Sequence, residues 1–467
     1  MIKEPPAAEI PQLPSVPSPY GDGPIPTYRH IKFSVFWFAT NFLWGALLTI
    51  MLPAEVRHIA PHMRVFALSF ISAASSIVAV LVPLFAGALS DRCTHPLGRR
   101  RPFIIVGVAI NLLGLFFMAL SYRHAGVLNA NLGHEPSALE SIKAIVSSGG
   151  FLLFILAYMV VQFGNNLATA AYSGLIPDLV PPNQRGAASG YMAIMSQVGT
   201  LFGVIGSGIL LSNFGDSAKY FAIATVLAGF TLMTVMGVQE TRLTTVQPPM
   251  KWGAYFRSLW IDPRAHPDFA WVWITRFLVM IGFYAVLPFI NYYLIDVIGI
   301  EKPDTSASIL TGLILVFAAI SGFYGGVISD RVGRKKVVTV ANFSMAIIGL
   351  GFIVARSFAE VLVIGIVFGL GYGAYISVDW ALGTDVLPSK DDAAKEMAVW
   401  HIAMTLPQAI AAPVAGIIIE SFGKTVKFQG DEQIIHYTVP GYACVFIFAG
   451  LCFAAGALFL KNVRGVR

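Results

Sequence analysis

Twelve stretches of this chain are each about 20 residues long and predominantly apolar, the length of helix that crosses a bilayer. They fall near 33–53, 66–89, 102–122, 148–176, 187–211, 219–238, 269–295, 307–329, 337–357, 360–386, 396–420 and 438–461. A segment in lipid must satisfy its own backbone hydrogen bonds, which leaves helices and closed barrels. These runs are about twice as long as a barrel strand. The chain is therefore expected to be an all-α membrane protein of 12 transmembrane helices. Composition agrees. Hydrophobic residues make up 56% of the chain and charged residues 12%, against ~25% charged in soluble proteins. The lipid bilayer is the partner this composition demands.

A short loop string then divides the twelve runs into two sets of six. Gly87-Ala-Leu-Ser-Asp91-Arg92-Cys-Thr-His-Pro-Leu-Gly98-Arg99-Arg100-Arg101 follows the second run. Gly326-Val-Ile-Ser-Asp330-Arg331-Val-Gly333-Arg334-Lys335-Lys336 follows the eighth. Further along, Asp178-Leu-Val-Pro181 is matched by Asp385-Val-Leu-Pro388. Two similar six-helix halves in one membrane chain suggest a transporter with its substrate path between them. The expected organisation is a disordered cytoplasmic tail over 1–29, halves over 30–238 and 269–467, and a cytoplasmic linker over 239–268. Trp252, Phe256, Leu259 and Trp260 of the linker can form a short interfacial helix. The first half has an extra outer loop, 123–147, in which Ser137 and Glu140 form a capping-box pattern for a second short helix.

The distribution of lysine and arginine sets the expected orientation. With the amino terminus inside, inner segments carry 21 of these residues and outer segments 9, with Arg276 left in a span. Both termini and both Ser-Asp-Arg loops are then cytoplasmic, in a multi-pass protein of the cell membrane. The net charge of +6 lies in short loops, which points to topology and not to nucleic acid. Cys93, Cys444 and Cys452 form no disulfide framework or zinc pattern. No phosphate-binding Gly-x-x-x-x-Gly-Lys-Ser/Thr string is present. No enzyme, cofactor or metal is expected, and the chain is read as a functional monomer.

On these residues the chain resembles the major facilitator superfamily over about residues 30–461, because the doubled Gly-x-x-x-Asp-Arg…Gly-Arg-Arg loop is that superfamily's signature. The fuller Ser-Asp-Arg-Cys-Thr…Gly-Arg-Arg-Arg-Pro-Phe, the pair Asn165-Asn166 with Asp178 beyond it, and Val378-Asp379-Trp380 resemble the sucrose–proton and glycoside–cation symporters of plants and bacteria. The resemblance implies the major facilitator fold and a sugar-like substrate. Two positions depart from it. The acid that the sucrose group carries three residues before the asparagine pair is Gln162 here, and the arginine it carries seven residues after the pair is Ser173.

The residues themselves suggest three kinds of work. Asp91, Arg92, Arg99, Arg100 and Asp178, repeated as Asp330, Arg331, Arg334 and Asp385, can form arginine–carboxylate bridges that gate the cytoplasmic side; enforcing topology is the simpler alternative. Polar residues within spans are costly in lipid and so mark a path or helix–helix contacts. Gln162, Asn165 and Asn166 share one helix face, as do Asn41 and Trp44. With Tyr284, Asn291 and Gln408, they are the candidate substrate contacts, since amides and phenols match hydroxyl groups. Arg276 and Asp379 both lie ~10 Å from the inner ends of their spans at 1.5 Å per residue, so they can pair. They are candidates for both substrate binding and cation coupling, with His401 a further proton carrier.

The expected function is alternating-access transport of a small polar solute, a sugar or glycoside, coupled to protons or another cation. Two alternatives stand beside it. One is an efflux antiporter for amphipathic compounds. The other is a non-transporting sensor with a transporter fold, whose mark would be an added signalling domain.

Overall fold

The computed structural model describes residues 19–20, 23, 25–124, 128, 138–181, 184–244, 250–258, 260–388, 393–429 and 432–465. Most of the segment read as a tail, the linker's Leu259 and the Ser137 cap lie outside them. Among the described residues, 12 helices are long and apolar enough to cross a membrane. In chain order they are Thr27–Ile59, Pro61–Ser90, Arg101–His124, Gly149–Ser173, Ala187–Leu210, Asp216–Gly237, Pro267–Asp296, Pro303–Val332, Arg334–Val354, Phe358–Asp385, Val399–Gly423 and Val439–Asn462. They are numbered below as the first to twelfth spans. Large apolar side chains cover their outer surface. Phe221, Phe323 and Ile347 are 74%, 72% and 70% exposed, a surface that needs an apolar solvent.

Local chemistry sets several of the ends. Ser148 accepts from the Phe151 amide at the start of the fourth span. Ser357 and Glu360 form a full capping box at the start of the tenth. Gly98 and Gly333 hold φ +106° and +102° just before the third and ninth spans. The two motif copies therefore turn on the same left-handed glycine, a conformation that costs other residues a Cβ clash.

The halves pack alike. In the first half the third span packs on the fourth and sixth, and the first on the fifth and sixth; in the second half the ninth packs on the tenth and twelfth, and the seventh on the eleventh and twelfth. The halves meet where the second span crosses the eleventh and the fifth crosses the eighth. The described part of the linker carries the helix Trp252–Ser258, and Trp252 and Phe256 pack on Phe85 of the second span. Residues Ala138–Ser147 form the short helix of the extra loop.

Two features depart from the sequence reading. The first helix begins at Thr27, inside the segment expected to be a tail. An antiparallel hairpin, β1 (Lys424–Gln429) with β2 (Glu432–Tyr437), joins the last two spans. Val426 and Phe428 alternate with polar residues in the sequence, the period of a strand, but the segment is too short and too polar to stand out between two long apolar runs. The chain remains predominantly helical.

Candidate functional site

Each copy of the loop motif builds a charge cluster inside its own half. Arg100, 6% exposed, pairs with Asp91, donates from Nε to Asp178 at 2.9 Å, and donates to the Ser90 hydroxyl at 2.6 Å. Arg99 reaches the other oxygen of Asp178 at 2.5 Å. Burial works against the charge on Arg100, but Asp91 and Asp178 outweigh it and push its pKa up. In the second half Arg334 pairs with Asp385 at 2.5 Å and with Asp330 at 3.7 Å, and donates to the Ala381 carbonyl. Arg92 is half-buried and Arg331 exposed. All of these pairs lie within one half. The expected bridges exist, but among the described residues none crosses between halves.

Sequence reading missed a partner of the first cluster. Glu240, just after the sixth span, accepts from the amides of Arg100 and Arg101 at 2.8 and 3.0 Å. It thereby caps the third span, where unpaired N–H groups collect. A Cβ at Gly98 would lie 2.5 Å from the Glu240 side chain, so the left-handed glycine also makes room for the cap. Burial raises the Glu240 pKa, against the lowering by the two amides.

The bonds that do join the halves lie at the opposite end of the spans. Arg57 donates to Asn291 at 2.9 Å and pairs with Asp304 at 3.3 Å, and Asn291 donates to Asp304 at 2.6 Å. Arg64 pairs with Asp296, which also accepts from Tyr442 at 2.5 Å. Tyr292 donates to the Pro53 carbonyl at 2.9 Å and Thr305 to that of Gly208. A Cβ on Gly208 would overlap Ser308, and one on Gly416 would overlap Ser69. At both places the missing side chain makes room for a serine of the facing half. Tyr437 of the hairpin donates to Glu420 at 2.6 Å beneath Arg64. Burial, then the Glu420 carboxylate, holds its phenol well above its ordinary pKa and so neutral.

Asn291, one of the candidate substrate contacts, is fully buried in this end closure. Arg57, Arg64, Asp296 and Asp304 lie where the helices run beyond the apolar stretches of the sequence.

Nearer the middle, the structure pairs Arg276 with Asp379, at 0% and 1% exposure. The guanidinium lies between two indoles, 5.3 Å from Trp380 and 4.9 Å from Trp400, and donates to the Met404 sulfur at 3.5 Å. The equal depth read from sequence is realised, whereas the tryptophan enclosure was not foreseen. Both charges are sealed from solvent here. His401 is exposed one turn away on the eleventh span, and its carbonyl accepts from Thr405.

The amides form short internal ladders. Gln162 donates to the Tyr158 hydroxyl, Asn166 to the Gln162 carbonyl and side chain, and Thr169 to the Asn165 carbonyl. Asn41 donates to the Trp37 carbonyl, and Gln408 to the Tyr284 hydroxyl at 2.7 Å. Asn41, Trp44, Gln162, Asn166, Tyr284 and Gln408 are half-buried, and Asn165 is buried with no partner on Oδ1 among the described residues. None of these bonds crosses to the other half. Among the described residues no group of His, Cys, Asp and Glu is arranged for a metal.

The profile of the Major Facilitator Superfamily matches residues 33–391 and 302–466. Sucrose transport protein SUC3 of Arabidopsis thaliana is 29% identical over 38% of this chain, a match spanning 32% of that protein's length. Multi-drug resistance efflux pump PmrA of Streptococcus pneumoniae is 23% identical over 84% of this chain and 92% of its own. Among solved structures, a D-xylose-proton symporter superposes with a TM-score of 0.66 at 14% identity, over 94% of this chain and 99% of its own. At that identity the likeness concerns the fold.

Proposed function

The chain belongs to the Major Facilitator Superfamily, and from that premise we propose that this transporter moves a sugar or glycoside by alternating access, coupled to protons or another cation. The observation that carries the reading is the one-sided closure. Bonds across the halves gather at the end with Arg57, Asn291 and Asp304, while at the motif end the ion pairs of Arg99, Arg100 and Arg334 with described residues lie within their own halves. Rocking the halves about a central substrate reverses which end is closed. The substrate sits between the halves near Asn41, Trp44, Asn165, Asn166, Tyr284 and Gln408, whose amides, phenol and indole suit a ring bearing hydroxyls. The sucrose transport proteins among its relatives support a sugar.

Coupling falls to Arg276 and Asp379. A paired carboxylate stays ionised, and separation from its cation in a low-dielectric site favours protonation. The motif clusters act as the gate at their end. That end and both termini face the cytoplasm, an orientation supported by the excess of basic residues in the segments on that side, and the closed end then faces out. The transporter acts as a monomer in the cell membrane. The test is uptake of a panel of labelled sugars by proteoliposomes, with and without a pH gradient. Saturable uptake of one sugar, enhanced by inward proton flow, is expected; uptake of none of the panel refutes the assignment.

The match to an efflux pump supports a second reading, export of amphipathic compounds. Extrusion of a lipophilic cation by the same proteoliposomes, with no sugar uptake, would select it.

A further inference from the structure

Glu55 is a buried acid that the transport reading does not use. It lies on residues Leu52–Ile59, the last stretch of the first span, and is 2% exposed. Oε2 accepts from the Tyr220 hydroxyl of the sixth span at 2.7 Å. Oε1 has no partner among the described residues.

Among the described residues no cation is paired with this carboxyl. On the sixth span Lys219 is paired with Asp216 at 2.9 Å, and that second acid adds repulsion. The third span contributes Tyr122 and Arg123, which line a cavity with Ala119, Asp216, Ser217 and Tyr220. On its own helix, Arg57 is bound to Asn291 and Asp304 and His58 is exposed. A carboxylate this buried, with one neutral donor and one bare oxygen, is stabilised by taking up a proton.

The surroundings provide both a route and a consequence. The cavity holds about 240 Å³, room for several waters, and Tyr220 both lines it and touches Glu55. A hydronium ion in the cavity passes a proton to the phenol oxygen as the phenol passes its own to Oε2, leaving water and an intact tyrosine. Residues 52–59 are bounded by a π-helical turn, Leu47–Met51, and by a break at Ala60; such turns are places where helices kink and are frequent at functional sites. Two residues apart on a helix, Glu55 and Arg57 face nearly opposite ways. The segment thus grips its own half through Glu55 and the other half through Arg57.

We propose that Glu55 is a proton-binding site, reached from this cavity through Tyr220, whose charge state controls how firmly residues 52–59 hold the second half. Protonated, it keeps the segment seated and this end closed. Ionised, it draws toward water, loosens the segment and favours opening. The consequence for opening rests on the alternating-access reading.

Two measurements on the full chain test this. In infrared difference spectra, a protonated carboxylic band present in the wild type should be missing in Glu55→Gln. For the second, spin labels are placed at Asn213→Cys and Lys302→Cys, exposed positions at this end of each half, with the three native cysteines replaced by alanine. Raising the pH should shift the wild type from the short toward the long distance, by up to about tenfold in population per pH unit for one proton. Glu55→Gln should stay short throughout. An unchanged band in Glu55→Gln, a pH-independent wild type, or a variant that responds like the wild type overturns the proposal. If both results hold and no sugar is transported, the transport reading fails and the proton site stands.

Discussion

Arg57 of the first half donates to Asn291 of the second at 2.9 Å, and the same guanidinium reaches Asp304 at 3.3 Å. This contact joins the halves across the end opposite the repeated loop motif. A second contact beside it differs in burial. The Arg57 and Asp304 side chains are 18% and 29% exposed, but Arg64 and Asp296 only 13% and 8%.

That difference ranks two substitutions. A partly exposed ion pair contributes about 0–1 kcal/mol, and the lost bond to Asn291 adds about 1–3 kcal/mol. Removing one member of a buried pair costs about 3–5 kcal/mol. Arg64→Ala should therefore open this end further than Arg57→Ala. Accessibility of a thiol placed in the second span at Ser72 to a water-soluble reagent checks the order. Equal reactivity in the two variants would show that burial does not set the strength of the closure.

The Arg276–Asp379 pair should behave as a buried charge pair in stability and as a coupling pair in transport. Arg276→Ala should cost about 3–5 kcal/mol in unfolding free energy, because it leaves Asp379 unpartnered. Replacing both with apolar residues should cost less than the single change, as read by thermal unfolding in detergent. Asp379→Asn should lose gradient-driven accumulation and keep downhill exchange. If it still accumulates substrate against a gradient, the proton rides elsewhere.

The amide ladders predict binding strength. Asn165→Ala removes a buried acceptor, Oδ1, that has no partner among the described residues. Loss of about 1–3 kcal/mol in sugar binding, roughly 5–150-fold in Kd, is expected by titration calorimetry. Unchanged affinity would move the site away from the fourth span.

Glu240 predicts a pH dependence with a defined sign. Burial raises its pKa above the ordinary 4.5. A raised acid binds its proton more tightly in the folded state, so its contribution is full below 4.5 and is lost as pH rises through the raised value. Glu240→Gln should flatten that part of the stability profile. Thermal unfolding from pH 4 upward checks it, and an identical slope in the variant would mean that Glu240 does not titrate there.

The spans, their order and the six-plus-six division were legible because apolar length and a repeated loop are local signals. Arg276 and Asp379 were paired by depth alone, since helical rise converts residue count into distance. What sequence missed depends on contacts between distant segments. Glu55, Arg57 and Asp304 lie beyond the apolar stretches, so the helical turns that carry them had no hydropathy signature. Glu240 meets the third span only after 140 residues of chain have folded. Trp400 reaches Arg276 from four spans away, and the tryptophan itself looks like any aromatic in an apolar run.

Alternating access demands that the two ends of the molecule move in opposite senses. Distances between spin labels report this directly, with one pair at Asn213 and Lys302 across the closed end and a second at Leu97 and Val332 across the motif end. When the transported sugar is added, the first distance should lengthen and the second shorten in the same fraction of molecules. Two distances that change together, or one that changes while the other stays fixed, would contradict the account.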